Sequence, residues 1–189
     1  MSASVIGPVP EGRDPQDYDR QRRRVLWSLP SGLYVIGSHG HVDGVERWNL
    51  MTANQVVQVS TDPKMVAVGV DAEAVTCALV REGGSFAVSF VDREDRALVR
   101  RFVKPVVEVT VSGDGRLERL GGEPVLQAAS GAPILAAAPA WIDCAVRHVV
   151  ELGSHVLFVG EVVDVGGRTD ETDAAPVLRM EDTRMNYGG

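Results

Sequence analysis

The chain has 189 residues, a formal net charge of −7, and a composition of 44% apolar, 24% charged and 5% aromatic residues. This length suits one globular domain, which buries roughly 70% of its unfolded surface. The negative charge argues against a general affinity for nucleic acid or anionic membranes, and an anionic ligand would need a local site that opposes the overall field.

Two cysteines, Cys77 and Cys144, lie far apart in the sequence, each in an apolar segment. We therefore expect buried free thiols rather than a disulfide framework. No cysteine or histidine cluster has the spacing of a zinc site, so we expect no metal, and His39 and His41 are expected to be solvated. The N-terminus lacks a secretory signal, and the longest apolar stretch, residues 132–142, is too short to span a bilayer. These features predict a cytoplasmic protein that binds no membrane and no nucleic acid.

Proline, glycine and charge dominate residues 1–17, which predicts a flexible N-terminal arm, or one that orders on a partner, ahead of a single domain over residues 18–189. A short helix is predicted next, with Asp14 or Asp17 as its cap and Pro30 near its end. Its buried stripe is expected to consist of three apolar residues, Val25, Leu26 and Leu29.

Short strands follow in quick succession. Asp43-Gly44 predicts a hairpin turn, because such a pair readily adopts the backbone angles of a tight turn between strands. The continuous apolar run over residues 65–70 predicts a strand buried on both faces. Residues 86–91 alternate between apolar and smaller side chains, which predicts another strand.

Two further segments predict short helices. The first, over residues 76–84, would begin with Thr76 as its N-cap and end at Gly83. The second, over residues 93–103, places apolar side chains four residues apart on one face and arginines on the other, the apolar pair being Leu98 and Phe102.

The second half of the chain is mostly strand. Residues 106–120 predict a hairpin around a Gly-Asp-Gly turn, and residues 175–180 predict a short final strand. Residues 127–140 are small and apolar with few structural signals, so we interpret them as an ordered loop.

The next two strands form a predicted pair. Residues 141–152 alternate, and residues 155–165 continue the pattern after a glycine turn, with Gly160 as an expected bulge or bend. In the first strand of the pair, the expected inward side chains are Ile142, Cys144, Val146 and Val150, and the expected outward side chains are Asp143, Arg147 and Glu151.

Many short strands with two or three small helices favour a closed β-barrel over a doubly wound sheet. The absence of a GxGxxG or GxxxxGK[ST] sequence argues the same way. The sequence therefore predicts neither a Rossmann dinucleotide-binding unit nor a P-loop.

One segment, "NLMTANQVVQVSTDP" at residues 49–63, combines strand-forming residues with neutral polar ones. Because side chains alternate along a strand, one face would carry Thr52, Asn54, Val56, Gln58 and Ser60. A face turned to water usually carries charges, and this one has none. The pattern therefore indicates a role for uncharged hydrogen-bonding groups.

The strip belongs to a longer series of segments: "SGLYVIG", "MTANQVVQVSTDPKMVAVGV", "REGGSFAVSFV", "RRFV", "AWIDCAV" and "GSHVLFVGEVVDV". In this order they resemble the flavin reductase-like FMN-binding split-barrel family, from about Arg22 to Tyr187. The resemblance implies a mainly β fold, a six-stranded split barrel with a few short helices. It also implies a homodimer that binds FMN or FAD in a groove near its interface.

The resemblance assigns roles to residues of the strip and its surroundings. In the family the corresponding strand runs along the flavin, so Thr52 and Asn54 are candidates for contacts with the ring and the ribityl chain. Neutral donors and acceptors suit the pyrimidine edge of a flavin, which needs several hydrogen bonds and no fixed charge. The implied cofactor-binding set is Met51, Thr52, Ala53, Asn54, Gln55, Ser60, Thr61, Lys64 and Thr76, with Ser60, Thr61 and Lys64 at the phosphate end. His155 is the implied nicotinamide contact.

The implied activity is that of an NAD(P)H:flavin oxidoreductase, which passes a hydride from NADH or NADPH to FMN or FAD. Such a reaction requires orientation and backbone donors rather than a catalytic acid–base pair, and the sequence shows no such pair. Reduced flavin could supply a separate monooxygenase. The alternatives are a flavin-binding electron carrier without its own nicotinamide site, and a split barrel that binds haem or a deazaflavin.

One departure from the family pattern concerns the phosphate. The segment "DAEAVT" at residues 71–76 lacks the hydroxyl or basic group that relatives often carry there, and Glu73 would repel a phosphate. Phosphate binding would then depend on Ser60, Thr61, Lys64, the N-terminus of the helix at Thr76, or the arginines Arg93 and Arg96.

Overall fold

A computed structural model describes residues 7–167 and 177–183 of the chain. Three helices and eleven strands form within these ranges. The helices are α1 (Pro15–Leu26), α2 (Val75–Gly83) and α3 (Leu98–Arg101). The strands are β1 (Tyr34–Val42), β2 (Val45–Ala53), β3 (Val56–Thr61), β4 (Lys64–Asp71), β5 (Ser85–Phe90), β6 (Val109–Val111), β7 (Leu117–Leu120), β8 (Glu123–Gln127), β9 (Pro133–Leu135), β10 (Ala140–Glu151) and β11 (His155–Gly167).

Seven strands form the main sheet, in the order β2-β1-β5-β10-β11-β4-β3, and all neighbouring strands are antiparallel. Its two edge strands, β2 and β3, are consecutive in the chain and are joined only by Asn54 and Gln55. The sheet must therefore curl until its edges meet at this link, which makes it a barrel. The prediction of a mainly β barrel is confirmed. The sheet has seven strands rather than six because the predicted strand over residues 49–62 divides at Asn54.

A second sheet of four strands, β6-β7-β8-β9, lies outside the barrel. Its β6–β7 pair confirms the hairpin predicted for residues 106–120. The prediction of a loop over residues 127–140 is wrong in part, because Pro133–Leu135 forms the fully buried strand β9. A Cβ atom at Gly37 of β1 would lie 1.7 Å from the carbonyl oxygen of Pro133, so the two backbones pack directly on each other.

Two groups of apolar side chains fill the molecule. The first lies inside the barrel and includes Val68, Phe86 and Phe158, with Cys77 and Val80 of α2 packed against them. The second lies between the barrel wall and the smaller sheet, and includes Leu33, Leu50, Val99, Phe102, Leu120 and Leu178. The alternation of apolar residues in the sequence predicted most of the side chains inside the barrel, because each barrel strand turns every second side chain inward.

Both cysteines are free and buried, as predicted. Burial and, to a smaller extent, the nearby charge of Asp143 together raise the pKa of the Cys144 thiol to about 12. Asp143 was expected to face solvent, and that expectation is wrong. Its side chain is fully buried, because the segment before β9 covers this side of β10 and Ser130 donates to both carboxylate oxygens, from its amide at 3.0 Å and its hydroxyl at 2.6 Å.

The helices differ from their predictions in detail. The expected buried stripe of α1 is exposed, with Val25 at 63% and Leu29 at 68%, because the helix does not pack its apolar side on the barrel. Asp14, one of the two residues predicted to cap this helix, is its N-cap. The helix begins at Pro15, within the segment that was predicted to be a flexible arm. Thr76 does not cap α2, since Ala74 occupies the N-cap position and makes no side-chain cap.

The remaining predicted segments are shorter in the structure. The helix predicted over residues 93–103 is limited to α3, because a turn in which Asp92 accepts from Glu94 and Asp95 occupies its first half. The predicted final strand makes only isolated bridges, at Val177 and Arg179. Residues 1–6 of the predicted arm and the first two residues of that strand lie outside the described ranges. None of the described helices is long and apolar enough to cross a membrane.

Gly160, where the sequence predicted a bulge or bend, is closely packed against neighbouring side chains in the barrel. The strand irregularity lies opposite it, where the pairing of β10 with β11 shifts between Val146 and His148. A Cβ atom at Gly160 would lie 2.7 Å from the Cβ of Cys144 and 2.7 Å from a ring carbon of Phe86. Such a distance is too short for a real contact, so the position requires glycine.

We expect Gly160→Ala to lower the free energy of unfolding by about 1–3 kcal/mol, because the added methyl group overpacks the barrel core. Gly113→Ala is the matched control, since a Cβ there meets nothing within 4 Å, and it should change stability by less than about 1 kcal/mol. Urea denaturation measures both values. Equal unfolding midpoints for the two variants would contradict this packing argument.

Candidate functional site

A cleft of about 480 Å³ opens where the end of β2 meets the apolar group outside the barrel. This volume lies within the range of small-molecule binding sites, which are mostly apolar and carry a few well-placed polar groups. The lining residues come from β2, from the turn between β4 and α2, from the end of α3 and from the C-terminal segment. They are Leu33, Met51, Thr52, Ala53, Asn54, Asp71, Glu73, Ala74, Phe102, Val103 and Met180.

Thr52 fixes one wall of the cleft. Its backbone N–H donates to the carbonyl of Phe102 at 2.9 Å, and its hydroxyl donates to the carbonyl of Val99 at 2.5 Å. These bonds hold the end of α3 against β2, so Phe102 and Val103 keep their place beside the cleft. Because the Thr52 hydroxyl donates its hydrogen to Val99, it can only accept a hydrogen bond from a ligand.

Asn54 supplies the most informative polar atom of the site. Its carboxamide oxygen is buried and has no hydrogen-bond partner within the described part of the chain, although the residue lines the cleft. Buried acceptors in native proteins are almost always paired, so an unpaired one at the wall of a cleft indicates a donor that a ligand would bring. An N–H or O–H group of a neutral ligand would fit this acceptor.

Asn49 holds the surroundings of the cleft together, and sequence reasoning missed it. It is 3% exposed; its amide nitrogen donates to the Thr76 hydroxyl at 3.0 Å, and its amide oxygen accepts from the Val106 N–H at 2.9 Å. It thereby connects β2 to α2 and to the segment after α3. The available signal was an amide between Trp48 and Leu50, in an otherwise apolar stretch.

The predicted residues Met51, Thr52, Ala53 and Asn54 all line the cleft, whereas the others do not. Thr76 is 1% exposed and is bonded to Asn49. The Gln55 side chain lies over Gly69 of β4. Ser60, Thr61 and Lys64 lie at the β3–β4 turn, about 20 Å along the strand from Gln55.

The expectation of one continuous polar strand over residues 51–61 is therefore wrong. β2 pairs with β1 and β3 pairs with β4, so the two halves of the strip belong to opposite edges of the sheet. The strand breaks at Asn54 because the barrel closes there. Only the first half of the strip reaches the cleft.

His155 lies at the edge of the site rather than in its lining. It opens β11 and pairs across the ladder with Asp71, which lines the cleft. The side chain is half-buried, and its Nδ1 atom lies 2.9 Å from the Ser154 hydroxyl.

The C-terminal segment closes another side of the cleft. Asp182 accepts two hydrogen bonds from Arg93, at 2.9 Å from Nε and 2.6 Å from Nη2, which holds the segment that carries Met180. This hydrogen bond lowers the pKa of Asp182, and the Arg93 charge adds to the effect. Because the Arg93 guanidinium is committed to Asp182, it is not positioned for a phosphate in this arrangement.

The residues present fit a flavin. Apolar side chains in the lining, among them Leu33, Met51 and Phe102, suit a flat tricyclic ring. Asn54 offers the ring edge or the ribityl chain an unpaired acceptor, and the walls are held by Asn49 and Thr52 before any ligand arrives. In the described part of the chain, no group of three or more metal-ligating side chains is positioned to hold a metal ion.

Comparison with known proteins identifies the class. Residues 26–188 match the flavin reductase like domain family, and the chain belongs to that family. The family predicted from the sequence and its split-barrel fold are confirmed. The predicted reaction, reduction of a flavin by a nicotinamide, is also confirmed, and so are its predicted cofactors. Relatives are named NADH-dependent FAD and FMN reductases, and one solved structure is a complex with NAD and FAD fragments.

Two relatives and two solved structures illustrate the match. The chain is 33% identical to the NADH-dependent FAD reductase of Streptomyces globisporus, covering 84% of this chain and 81% of the relative. It is 31% identical to the NADH-dependent FMN reductase AsuE2 of Streptomyces nodosus subsp. asukaensis, covering 82% and 78%. The structure of NADH:FAD oxidoreductase SgcE6 from Streptomyces globisporus C-1027 in complex with NAD and FAD fragments is similar, with a TM-score of 0.62, 28% identity, and coverage of 84% and 87%. The styrene monooxygenase flavin reductase of Pseudomonas putida S12 has a TM-score of 0.60, 25% identity, and coverage of 77% and 86%.

We expect Asn54→Ala to weaken flavin binding about tenfold, because one hydrogen bond to a ligand is lost. The thermal unfolding midpoint should stay within about 2 °C, since the buried amide oxygen satisfies no other protein group. Quenching of flavin fluorescence measures the affinity, and circular dichroism measures the unfolding midpoint. Gln58→Ala is the control, an amide on β3 outside the cleft. Equal flavin affinities for the two variants would contradict the role of Asn54.

Proposed function

We propose that the protein is an NADH-dependent reductase of FAD or FMN. The observation that carries the proposal is the buried, unpaired acceptor of Asn54 in a largely apolar cleft, formed by the same residues that carry the "MTAN" motif. The flavin, when bound, supplies the redox chemistry, since it can take up a hydride from a nicotinamide and pass its electrons on.

The residues of the chain act by binding and orientation. Met51, Phe102 and Met180 exclude water from the cleft, and Asn54 fixes the ligand through its acceptor. Thr52 and Asn49 hold the walls, which limits the reorganisation that binding requires. Gln55, Ser60, Thr61, Lys64 and Thr76 stay predictions of flavin contact, and the cleft geometry gives them no support.

His155 is our candidate for the nicotinamide contact. It lies across the β4–β11 ladder from Asp71, which lines the cleft. A dinucleotide stacked over a ring in the cleft would therefore lie against the start of β11. The preference for NADH over NADPH is part of the proposal, and the names of the two Streptomyces relatives support it.

The assay follows the loss of near-ultraviolet absorbance of the reduced nicotinamide in the presence of FAD or FMN. We expect oxidation of NADH by the wild-type protein, and His155→Ala should raise the KM for NADH about tenfold with a smaller change in kcat, because a binding contact is lost. His41→Ala is the control, an exposed histidine at the far end of β1. Flavin binding without nicotinamide oxidation would overturn the reductase in favour of a flavin-binding carrier. A colourless protein with no flavin affinity would overturn both.

The proposal includes a homodimer with the flavin site near its interface. Three aliphatic side chains at the end of α1 and just after it, Val25, Leu26 and Leu29, are between 45% and 68% exposed, which is unusual for neighbouring aliphatic side chains of a monomer. An apolar stripe of this kind is covered most simply by the same surface of a second copy. Residues 18–189 would form the functional domain of each subunit, and residues 1–17 its N-terminal arm.

We expect sedimentation equilibrium to give twice the monomer mass of 20.3 kDa. The double variant Val25→Asp with Leu29→Asp should sediment as a monomer, because two charges would be buried in the apolar contact. Val45→Asp, at an exposed position of the β1–β2 hairpin, is the control and should stay dimeric. A wild-type monomer would remove the dimer from the proposal and leave the reductase intact.

A monooxygenase is the proposed acceptor of the reduced flavin. The similar structure from Pseudomonas putida S12 is named as the flavin reductase of styrene monooxygenase, which supports such a partner. The cleft of this chain is open at its rim, where Asp71 and Glu73 are exposed, so a reduced flavin could leave it by diffusion. A cytoplasmic location is part of the proposal, because two free buried thiols suit a reducing compartment.

A further inference from the structure

We propose that Glu73 makes this cleft select against the phosphate of a flavin, so that riboflavin binds at least as tightly as FMN. The inference rests on the proposed function, because it assigns the flavin to the cleft. It concerns the charge that the chain presents at one end of that site.

The charge of the cleft lining is the first observation. Two of the eleven lining residues, Asp71 and Glu73, are carboxylates, and no lysine or arginine of the described chain is among them. The isoalloxazine ring and the ribityl chain are uncharged, so they meet no penalty there. A phosphate group on the ribityl chain would bring about two negative charges into a site that already carries two.

The position of Glu73 is the second observation. The Asp71 carboxylate accepts from the Glu73 N–H at 2.8 Å, and the Asp71 carbonyl accepts from the Ala74 N–H at 3.0 Å. This turn places Glu73 directly before Ala74, the N-cap of α2, which provides no side-chain cap. The start of a helix favours a negative charge, and Glu73 supplies that charge from the chain itself. A ligand phosphate would have to share this field with a fixed carboxylate.

The pairing and placement of Arg93, Arg101 and Lys64 is the third observation. Arg93 is paired with Asp182, and Arg101 is paired with Glu123. Lys64 lies at the β3–β4 turn, away from the cleft. None of these three cations therefore neutralises the negative charge of Glu73 at the end of the cleft next to α2.

The test compares the binding of riboflavin and FMN, two ligands that share the ring and differ in the phosphate. Fluorescence quenching gives the Kd of each flavin for the wild-type protein and for Glu73→Gln, which keeps the size of the side chain and removes its charge. We expect Glu73→Gln to bind FMN about tenfold more tightly and riboflavin with an unchanged Kd, because only the phosphate senses the lost charge. The gain for FMN should shrink as salt is added.

Glu82→Gln is the matched control, an exposed glutamate in the last turn of the same helix, and it should leave both Kd values unchanged. A wild-type protein that binds FMN more tightly than riboflavin, or an equal response of both flavins to Glu73→Gln, would overturn the inference and leave the reductase assay untouched. Failure of both flavins to bind the wild-type protein would overturn the proposed function together with this inference.

Discussion

The structure depends on how its main sheet closes. The first and last strands of the sheet order are consecutive in the chain, and only Asn54 and Gln55 separate them. This two-residue link can span at most about 11 Å between the Cα atoms of Ala53 and Val56, so the sheet can satisfy this connection only by curling on itself. The same link turns Asn54 out of the ladder and into the cleft. Barrel closure and the unpaired acceptor are therefore consequences of one constraint on the backbone.

Three polar side chains then convert this seam into a site with fixed walls. Asn49 and Thr52 are both on β2, and they hold α2, the end of α3 and the segment after it through four contacts. Arg93 holds the C-terminal segment through Asp182. The cleft consequently lies between two separately packed groups of apolar residues, and its shape is set by hydrogen bonds that a ligand need not make.

Local signals in the sequence were sufficient for most strands. The Asp43-Gly44 turn, the apolar run of β4 and the alternation of β10 predicted their elements, because backbone angles and side-chain alternation are decided by neighbouring residues. The errors concern contacts between distant residues. Asn49 bonds to Thr76 and Val106, which are 27 and 57 residues away, and Asp143 is covered by Ser130 from another segment. No periodicity contains that information. The resemblance to a family identified the cleft-lining half of the strip, Met51–Asn54, but it carried over a continuous strand that barrel closure interrupts.

The protonated state of Cys144 has a chemical consequence for a protein proposed to make reduced flavin. Free reduced flavin reacts with dioxygen and yields hydrogen peroxide, which oxidises thiolates to sulfenic acid. A thiol whose pKa is about 12 is almost entirely unionised at neutral pH, and Cys144 has no exposed surface. The barrel interior thus keeps this sulfur resistant to the oxidant that the proposed reaction would generate at the rim of the cleft.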